Sequence, residues 1–173
     1  MSFLELAKKR YSARSYLEKP VEREKLDIIL EAGRVAPTAC NNQPQRILVV
    51  NSKEGLEKIS KSYKSFGAPL ALVVCVDHNN TWKRAYDGKN SADIDASIVC
   101  DHMMLCAADI GLDSVWVCAF NPEVLRKEFN IPDHIEPVNI LFVGYAKGEP
   151  KSPKRHDSMR KPVGSSVFYE KFE

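Results

Sequence analysis

The longest helical pattern of the chain runs from Asp93 to Ile110, and it is apolar on nearly every side. Its regular apolar positions share one face of a helix: Ile94, Ile98, Leu105 and Ala108. Additional Val, Met and Cys residues fill most of the remaining circumference. A helix with so little polar surface is either central in a fold or covered at an interface. The chain must therefore supply layers on several sides of this helix, or share them with a second copy.

Four short apolar runs, each bounded by turn-forming residues, predict buried strands. They lie at residues 46–50, 70–76, 114–118 and 137–145. Helical patterns occur at residues 2–9, between Pro20 and Pro37, at residues 54–61 and after Asn121. The loose alternation of strands and helices predicts an α/β (α+β) fold in which a mixed central sheet is flanked by helices. The order of the strands does not follow from these runs.

The length of 173 residues and the hydrophobic content of 44% suit a single domain that covers residues 1–173. The 25 basic and 23 acidic residues nearly balance, which argues against a dedicated nucleic-acid-binding protein. No apolar run approaches the roughly 18 residues of a membrane span, and the charged N-terminal residues do not resemble a signal peptide. We expect a cytoplasmic protein that acts on a small molecule, with no membrane or nucleic-acid partner.

Five cysteines are scattered through apolar surroundings, unlike the dense, even framework of small secreted proteins. We therefore expect reduced thiols. Cys100, His102 and Cys106 are close in sequence, but Cys100 and Cys106 point about 240° apart on a helix, and no second cluster completes a site. We expect no bound metal, and we expect His102 and His134 to be structural.

Residues 8–14 concentrate four cations and a hydroxyl at the end of the first helical pattern. In an extended chain Arg10, Ser12 and Arg14 face one way. Two guanidinium groups beside a hydroxyl form a good phosphate cradle, because arginine bonds phosphate oxygens through a planar fork of donors. A solvated basic patch is the other interpretation of such a run.

Two further segments are polar. The loop at residues 36–44 lies between two prolines; its amides and hydroxyls suit hydrogen bonds to a heterocycle, although an ordinary turn also uses Asn and Pro. Residues 146–160 are rich in Lys, Pro and Ser, and bulky apolar residues return at Val167, Phe168 and Tyr169. Such a tail is frayed, folded back on its own subunit, or wrapped on a partner.

In their order along the chain, these segments resemble the nitroreductase family of flavoproteins. The resemblance begins with Arg-Tyr-Ser-Ala-Arg at residues 10–14 and Ala-Pro-Thr-Ala-Cys-Asn-Asn-Gln-Pro at residues 36–44. It continues with the helix at residues 93–112, which starts Asp-Ile-Asp-Ala-Ser and ends Leu-Cys-Ala-Ala-Asp-Ile-Gly-Leu, and with Val-Gly-Tyr at residues 143–145. The resemblance spans nearly the whole chain, and the ordered set of motifs is more specific than any one of them.

The resemblance implies a nitroreductase-like fold, bound FMN, and a homodimer with extended C-terminal arms at about residues 146–173. For the FMN phosphate it implies Arg10, Ser12 and Arg14, with backbone from Tyr11 and Ala13, and the tail residue Arg160. For the flavin of the partner subunit it implies Thr38, Ala39 and Cys40, together with Asn41 and Gln43. Along the isoalloxazine ring it implies Trp116, Val117 and Cys118.

The activity implied by the resemblance is electron transfer from NAD(P)H through FMN to an aromatic acceptor, such as a nitro compound or quinone, by a ping-pong mechanism. The cofactor performs the redox step, so no catalytic side chain is expected. The alternatives are a flavin-binding or flavin-storage protein without turnover, and a flavin-fragmenting or dehalogenating relative. No G-x-G-x-x-G motif is present to indicate a separate nicotinamide site or a choice between NADH and NADPH.

This chain departs from many members of the family in two places. Ala39 and Cys40 stand where many relatives carry Ser or Gly. Residues 116–119 stand where many relatives carry hydroxyl-bearing side chains or a Glu-Gly pair. Contacts to the flavin edge are therefore expected to come mostly from backbone. The chain is also short for the family, and residues 78–90, with Trp82 and Tyr86, are the expected substitute for the excursion that shapes the acceptor pocket.

Overall fold

A four-stranded sheet lies at the centre of the protein, in a computed structural model that describes residues 1–172. The strands are β1 (Gln45–Val50), β2 (Leu70–Asp77), β3 (Asp113–Val117) and β4 (Ile135–Gly144). Their order across the sheet is β1-β2-β4-β3, and each neighbouring pair is antiparallel. A single parallel bridge joins Ser12 to Ser114 at the β3 edge, so the parallel component of the expected mixed sheet is confined to this contact.

One face of the sheet is covered by α2 (Arg23–Val35) and α4 (Ala92–Asp109), and α1 (Phe3–Lys9) packs against α4. Leu72, Val74 and Val76 of β2 point into this layer and pack with buried residues of α4, including Val99 and Met103. The long apolar helix is therefore central, as its sequence predicts. It ends at Asp109, and two residues later the chain turns away at Gly111, whose φ of 79° lies in the left-handed region that favours glycine.

The other face of the sheet is covered by α3 (Lys53–Ser62) and α5 (Pro122–Phe129). The alternate residues of β2, among them Val73 and Cys75, point into this second core with Ile59, Leu125 and Phe142. Because successive strand residues face opposite sides, a β2 that is buried along its whole length requires both helical layers. The fold is thus a three-layer arrangement with the sheet in the middle.

The C-terminal arm follows β4. Its first residues lie on their own subunit, where Tyr16 and Ala146 form an antiparallel bridge and the N–H of Lys147 donates to the carbonyl of Ser15 at 2.9 Å. A short helix, α6 (Arg155–Met159), and a 3₁₀ turn at Val163–Ser165 follow. These were not apparent from the polar sequence of the arm. No helix in the described part of the chain is long and apolar enough to cross a membrane.

Candidate functional site

A basic cavity of about 500 Å³ lies between the segment after α1 and the C-terminal arm. Four of the residues that the family resemblance implies for the FMN phosphate come from the segment at residues 10–14, and this cavity brings them together with Arg160 of the tail. Its lining residues are Arg10, Tyr11, Ser12, Arg14, Lys151, Ser152, Arg155, His156, Met159 and Arg160. None of these carries a carboxylate. We call this space the phosphate cavity.

The cations of the phosphate cavity lack anionic partners. The side chains of Arg10, Arg14 and Arg160 make no hydrogen bond or ion pair within residues 1–172. Burial lowers the pKa of Arg10, and the nearby charge of Arg155 lowers it further, as does that of Arg160, while Asp101 acts in the opposite direction. The lowering of the Arg10 pKa reflects first the burial of the guanidinium group and then the positive charges beside it, and a bound anion would oppose both effects.

The extended segment at residues 10–14 is held against the edge of the sheet. The N–H of Ala13 donates to the carbonyl of Ser114 at 3.0 Å, and Ala13 itself is buried. Tyr11 is half-buried near Asp113. Its burial, and to a smaller extent the neighbouring carboxylate of Asp113, raise the pKa of the Tyr11 phenol. Ala13 points inward, and Arg10, Ser12 and Arg14 line the cavity as their spacing predicts, but Tyr11, which strict alternation would place on the opposite side, lines it too.

Arg155 and His156 were not singled out from the sequence. Nη1 of Arg155 donates to the carbonyl of Lys8 at 3.1 Å and to that of Ser152 at 2.9 Å, and its Nη2 donates to the carbonyl of Arg10 at 2.6 Å. Nε2 of His156 lies 3.3 Å from the carbonyl of Lys8. The arm is thus fastened directly to the phosphate segment of its own subunit.

The polar loop after α2 has an unusual backbone. Cys40, Asn41 and Gln43 have φ values of 52°, 54° and 51°, a left-handed conformation that costs energy for residues with a Cβ. The N–H of Gln43 donates to Oγ1 of Thr38 at 3.1 Å, which closes the loop on itself. A strained but hydrogen-bonded loop of this kind occurs typically at binding sites.

A buried carboxylate on α4 anchors this loop. Oδ1 of Asp95 accepts the N–H of Ala39 at 2.9 Å, and Oδ2 accepts the hydroxyl of Ser91 at 2.6 Å. Asp95 is only 1% exposed, so both of its oxygens need such donors. Sequence analysis missed this role, because an acidic residue in the first turn of a helix is usually explained by the helix dipole.

The segment implied for the isoalloxazine ring occupies the sheet edge. Val117 is buried, Trp116 is half-buried and Cys118 is exposed. Nε1 of Trp116 is buried without a hydrogen-bond partner among the described residues. Cys118 also lines a cavity of about 390 Å³ with His78, whose Nε2 lies 2.5 Å from Oε2 of Glu136. Tyr86 lies in the adjoining excursion and is 98% exposed.

The loop and the phosphate cavity are not brought together within one subunit. The loop contacts α4 near its start, at Asp95, whereas a second cavity that shares Arg10 and Tyr11 with the phosphate cavity is lined by Ala108 near its end. Those two helix positions are thirteen residues apart, which is about 20 Å along the axis at roughly 1.5 Å per residue. The loop and this second cavity therefore lie towards opposite ends of α4.

The model of the nitroreductase family matches residues 7–66 and 60–145. The chain belongs to this family. A nitroreductase family protein from Clostridium difficile 630, of known crystal structure, is 52% identical; 99% of this chain and 100% of that chain are covered, with a TM-score of 0.98. The structure of an FMN-dependent nitroreductase from Clostridium difficile R20291 is 28% identical in sequence. The match covers 96% of this chain and 98% of that chain, with a TM-score of 0.78. The FMN reductase (NAD(P)H) of Bacillus subtilis strain 168 is 30% identical over 83% of this chain and 66% of its own length.

As a member of the nitroreductase family the protein is an oxidoreductase, and the phosphate cavity carries donors of the kind that a phosphate group requires. A terminal phosphate carries up to two negative charges, and the cavity offers unpaired guanidinium groups and the Ser12 hydroxyl as donors. Within residues 1–172 no group of three or more His, Cys, Asp or Glu side chains is arranged to hold a metal ion.

Proposed function

We propose that the protein is an FMN-dependent oxidoreductase that takes electrons from NAD(P)H and passes them to small aromatic acceptors such as nitro compounds or quinones. The observation that carries the proposal is the phosphate cavity, which gathers Arg10, Ser12 and Arg14 with Arg160 from the other end of the chain. Two relatives, named FMN reductase (NAD(P)H) and FMN-dependent nitroreductase, support the same choice of cofactor. A cytoplasmic location is part of the proposal.

In this proposal Arg10, Arg14 and Arg160 neutralise the FMN phosphate, and Ser12 donates a hydrogen bond to it. Ala13 fixes the segment through its bond to Ser114, and Tyr11 lies beside the ribityl phosphate. Trp116, Val117 and Cys118 border the flavin ring along the edge of the sheet. Each charge-assisted contact to the phosphate is expected to contribute on the order of 1.5–3 kcal/mol.

We further propose a homodimer in which each flavin is shared. Thr38, Ala39, Cys40, Asn41 and Gln43 then reach the flavin of the partner subunit. The absence of any residue of this loop from the lining of the phosphate cavity of its own subunit supports this sharing. The hydrogen bond to Asp95 holds the loop in the shape that it presents to the partner.

When bound, FMN would supply the redox chemistry, namely hydride uptake from the reduced nicotinamide and electron delivery to the acceptor, at one place that both substrates would use in turn. The chain's own contribution is to position the flavin and to leave that place accessible. No side chain is required as an acid or base in this scheme. The exposed Tyr86 and the half-buried Trp82 border the side from which an acceptor is proposed to enter.

The cofactor assignment is tested by releasing the flavin from the purified protein and measuring its mass, with FMN rather than FAD expected. Arg14→Ala is expected to weaken FMN binding by roughly ten- to a hundredfold, because a charge-assisted contact is lost. Lys127→Ala, which removes an exposed cation on α5, serves as the matched control and should leave the affinity unchanged. Release of FAD, or an Arg14→Ala variant with intact affinity, would show that the phosphate assignment is wrong.

Turnover is tested by following the two half-reactions separately. NADH or NADPH is expected to bleach the flavin in the absence of oxygen, and a nitroaromatic or quinone added afterwards is expected to restore its absorbance within the time of one turnover. A flavin that is reduced and reoxidised only over many minutes would identify a storage protein instead. The rates with the two nicotinamides also establish which one is preferred.

A further inference from the structure

Arg155 lies in the phosphate cavity, but its guanidinium group differs from the other three. Three of its N–H groups donate to the carbonyls of Lys8, Arg10 and Ser152. An arginine has five such donors in a fixed plane, so most of this group is already engaged. Arg10, Arg14 and Arg160, by contrast, have no hydrogen-bonding partner for their side chains within the described residues.

These three hydrogen bonds join two distant segments. Between Gly148 and Arg160, the hydrogen bonds from the arm to the body of the subunit come from Arg155 and His156, and all of them end on carbonyls of Lys8 or Arg10. Carbonyls at the end of a helix lack intrahelical donors, so α1 leaves acceptors open at this point. Arg155 uses them to fix the arm beside the segment that carries Arg10.

Arg160 depends on this attachment through α6. The helix begins at Arg155, and Arg160 is its C-terminal cap, with an N–H that donates to the carbonyl of His156 at 3.3 Å. The two arginines are therefore the ends of one short rigid element of about 8 Å, at roughly 1.5 Å per residue. Fastening the first end determines where the second end lies over the cavity.

We infer that Arg155 is a positioning residue for the phosphate of the cofactor: it holds α6 on the phosphate segment and thereby places Arg160 at the phosphate cavity. This inference rests on the proposed binding of FMN. Lysine cannot take over the role, because a single ammonium group does not present donors to three carbonyls in the plane of a fork. The role therefore depends on the shape of the side chain as well as on its charge.

The test compares the binding of FMN and of riboflavin, which lacks the phosphate, to the full-length protein after its flavin has been removed. In Arg155→Ala and Arg155→Lys the dissociation constant for FMN is expected to rise about tenfold, while that for riboflavin changes by less than about twofold. Lys154→Ala removes a neighbouring exposed cation and is expected to leave both constants unchanged. The ratio of the two dissociation constants is thus the diagnostic quantity.

Arg160→Ala and the double variant Arg155→Ala/Arg160→Ala test whether Arg155 acts through Arg160. If it does, the double variant binds FMN no more weakly than Arg160→Ala, because the arginine that was positioned is already gone. Additive losses would overturn the inference, as would Arg155→Lys with the affinity of the wild type, or equal losses for FMN and riboflavin. A wild-type protein that binds neither flavin would instead refute the proposed function on which the inference rests.

Discussion

Cys40 and Cys118 are the two exposed thiols among the five cysteines, and both belong to segments proposed to border a flavin. The buried thiols are inert by comparison: burial raises the pKa of Cys75 to about 12, and burial also raises that of Cys100. Thiolates are the reactive form of cysteine, so neither buried residue supplies a nucleophile at neutral pH. Burial also raises the pKa of the half-buried Cys106, so the exposed pair are the candidates for a thiol that takes part in electron transfer.

Changing both Cys40 and Cys118 to Ser is expected to keep turnover within about tenfold, because the flavin carries the electrons and no thiol is needed. A lost catalytic proton transfer typically reduces the rate by about 10²–10⁴-fold, well outside that range. The measurement is the turnover number with flavin content determined in parallel, and Cys106→Ser, a half-buried thiol away from the proposed site, is the control. Near-complete loss of turnover with FMN still bound would assign a redox role to one of the two thiols.

At the scale of residues, the sequence was informative where chemistry and spacing coincide. Arg10, Ser12 and Arg14 were recognisable because alternate residues of an extended chain face one way, and the structure brings all three to one cavity. Arg155 was not, because it is one of several cations in the arm and its role depends on carbonyls from distant segments. The left-handed backbone at Cys40 was equally hidden, since Ala-Cys-Asn carries no glycine to indicate it.

Asp95 joins α4 to the strained loop, which makes its loss an element-scale change. Asp95→Ala leaves the N–H of Ala39 and the hydroxyl of Ser91 without their acceptor, and unsatisfied buried donors cost on the order of 1–3 kcal/mol each. We expect urea unfolding to show a decrease of about 2–3 kcal/mol in the free energy of unfolding. Asp95→Asn keeps one amide oxygen as an acceptor and should lose less.

Asp93 provides the control for Asp95, because it is exposed in the same first turn of α4. Asp93→Ala is expected to change the free energy of unfolding by no more than about 0.5 kcal/mol, as is usual for surface positions. Equal effects of the two alanine substitutions would show that the carboxylate serves the helix dipole rather than the loop.

A carboxylate at the start of α2 gives the protein a defined pH dependence. The hydroxyl of Tyr145 donates to Oε2 of Glu22 at 2.7 Å, and Nζ of Lys19 lies 3.2 Å from its Oε1. Mainly through the bond from Tyr145, these contacts lower the pKa of Glu22 from 4.5 to about 2. A carboxyl group whose pKa is depressed by folding contributes stability above its unfolded pKa, and this contribution disappears as the pH falls through the folded pKa.

Glu22→Gln is therefore expected to reduce the acid sensitivity of the protein between about pH 4.5 and 2, the window set by the two pKa values. The measurement is the free energy of unfolding as a function of pH. Tyr145→Phe, which removes the largest cause of the pKa shift, should flatten the same window while leaving Glu22 in place. Parallel curves for the wild type and Glu22→Gln would contradict the assignment.

Elements with buried apolar runs were predictable. The four strands and the helices α1 to α5 lie within about three residues of the positions expected from periodicity and turn formers. The strand order was not, because antiparallel neighbours β2 and β4 are far apart in sequence and no local signal pairs them. The helix α6 has only five residues and no buried side chain, so it leaves no apolar period to detect.

At the scale of the whole molecule, the long apolar helix supports a dimer less than its sequence suggests. Its own subunit covers most of α4 with the sheet and α2, and Ile94 is its one large apolar side chain left exposed among the described residues. Exposed apolar residues are found instead on α1 and α2, including Phe3 and Val35, and at the end of the arm. The arm therefore carries the stronger argument for a second copy.

The end of the arm is an exposed apolar segment. Tyr169 is 86% exposed and Phe172 is 89% exposed, while Val167 and Phe168 are 41% and 44% exposed. At about 1.5–3 kcal/mol for each fully buried side chain, burying Tyr169 and Phe172 on a partner would alone contribute roughly 3–6 kcal/mol. The earlier part of the arm lies on its own subunit through Arg155, so folding back explains residues up to Arg160 but not these four.

Two truncations separate the functions of the arm. A chain ending at Pro162 keeps Arg155 and Arg160 but lacks the exposed apolar end, and we expect light scattering to show monomers that still bind FMN more tightly than riboflavin. A chain ending at Gly148 also loses both arginines, so it should be monomeric and should no longer discriminate between the two flavins. A protein that stays dimeric when it ends at Pro162 would exclude the apolar end from the interface. A full-length protein that is monomeric at micromolar concentration would refute the shared flavin site altogether, because the loop at Thr38–Gln43 would then have no partner flavin to contact.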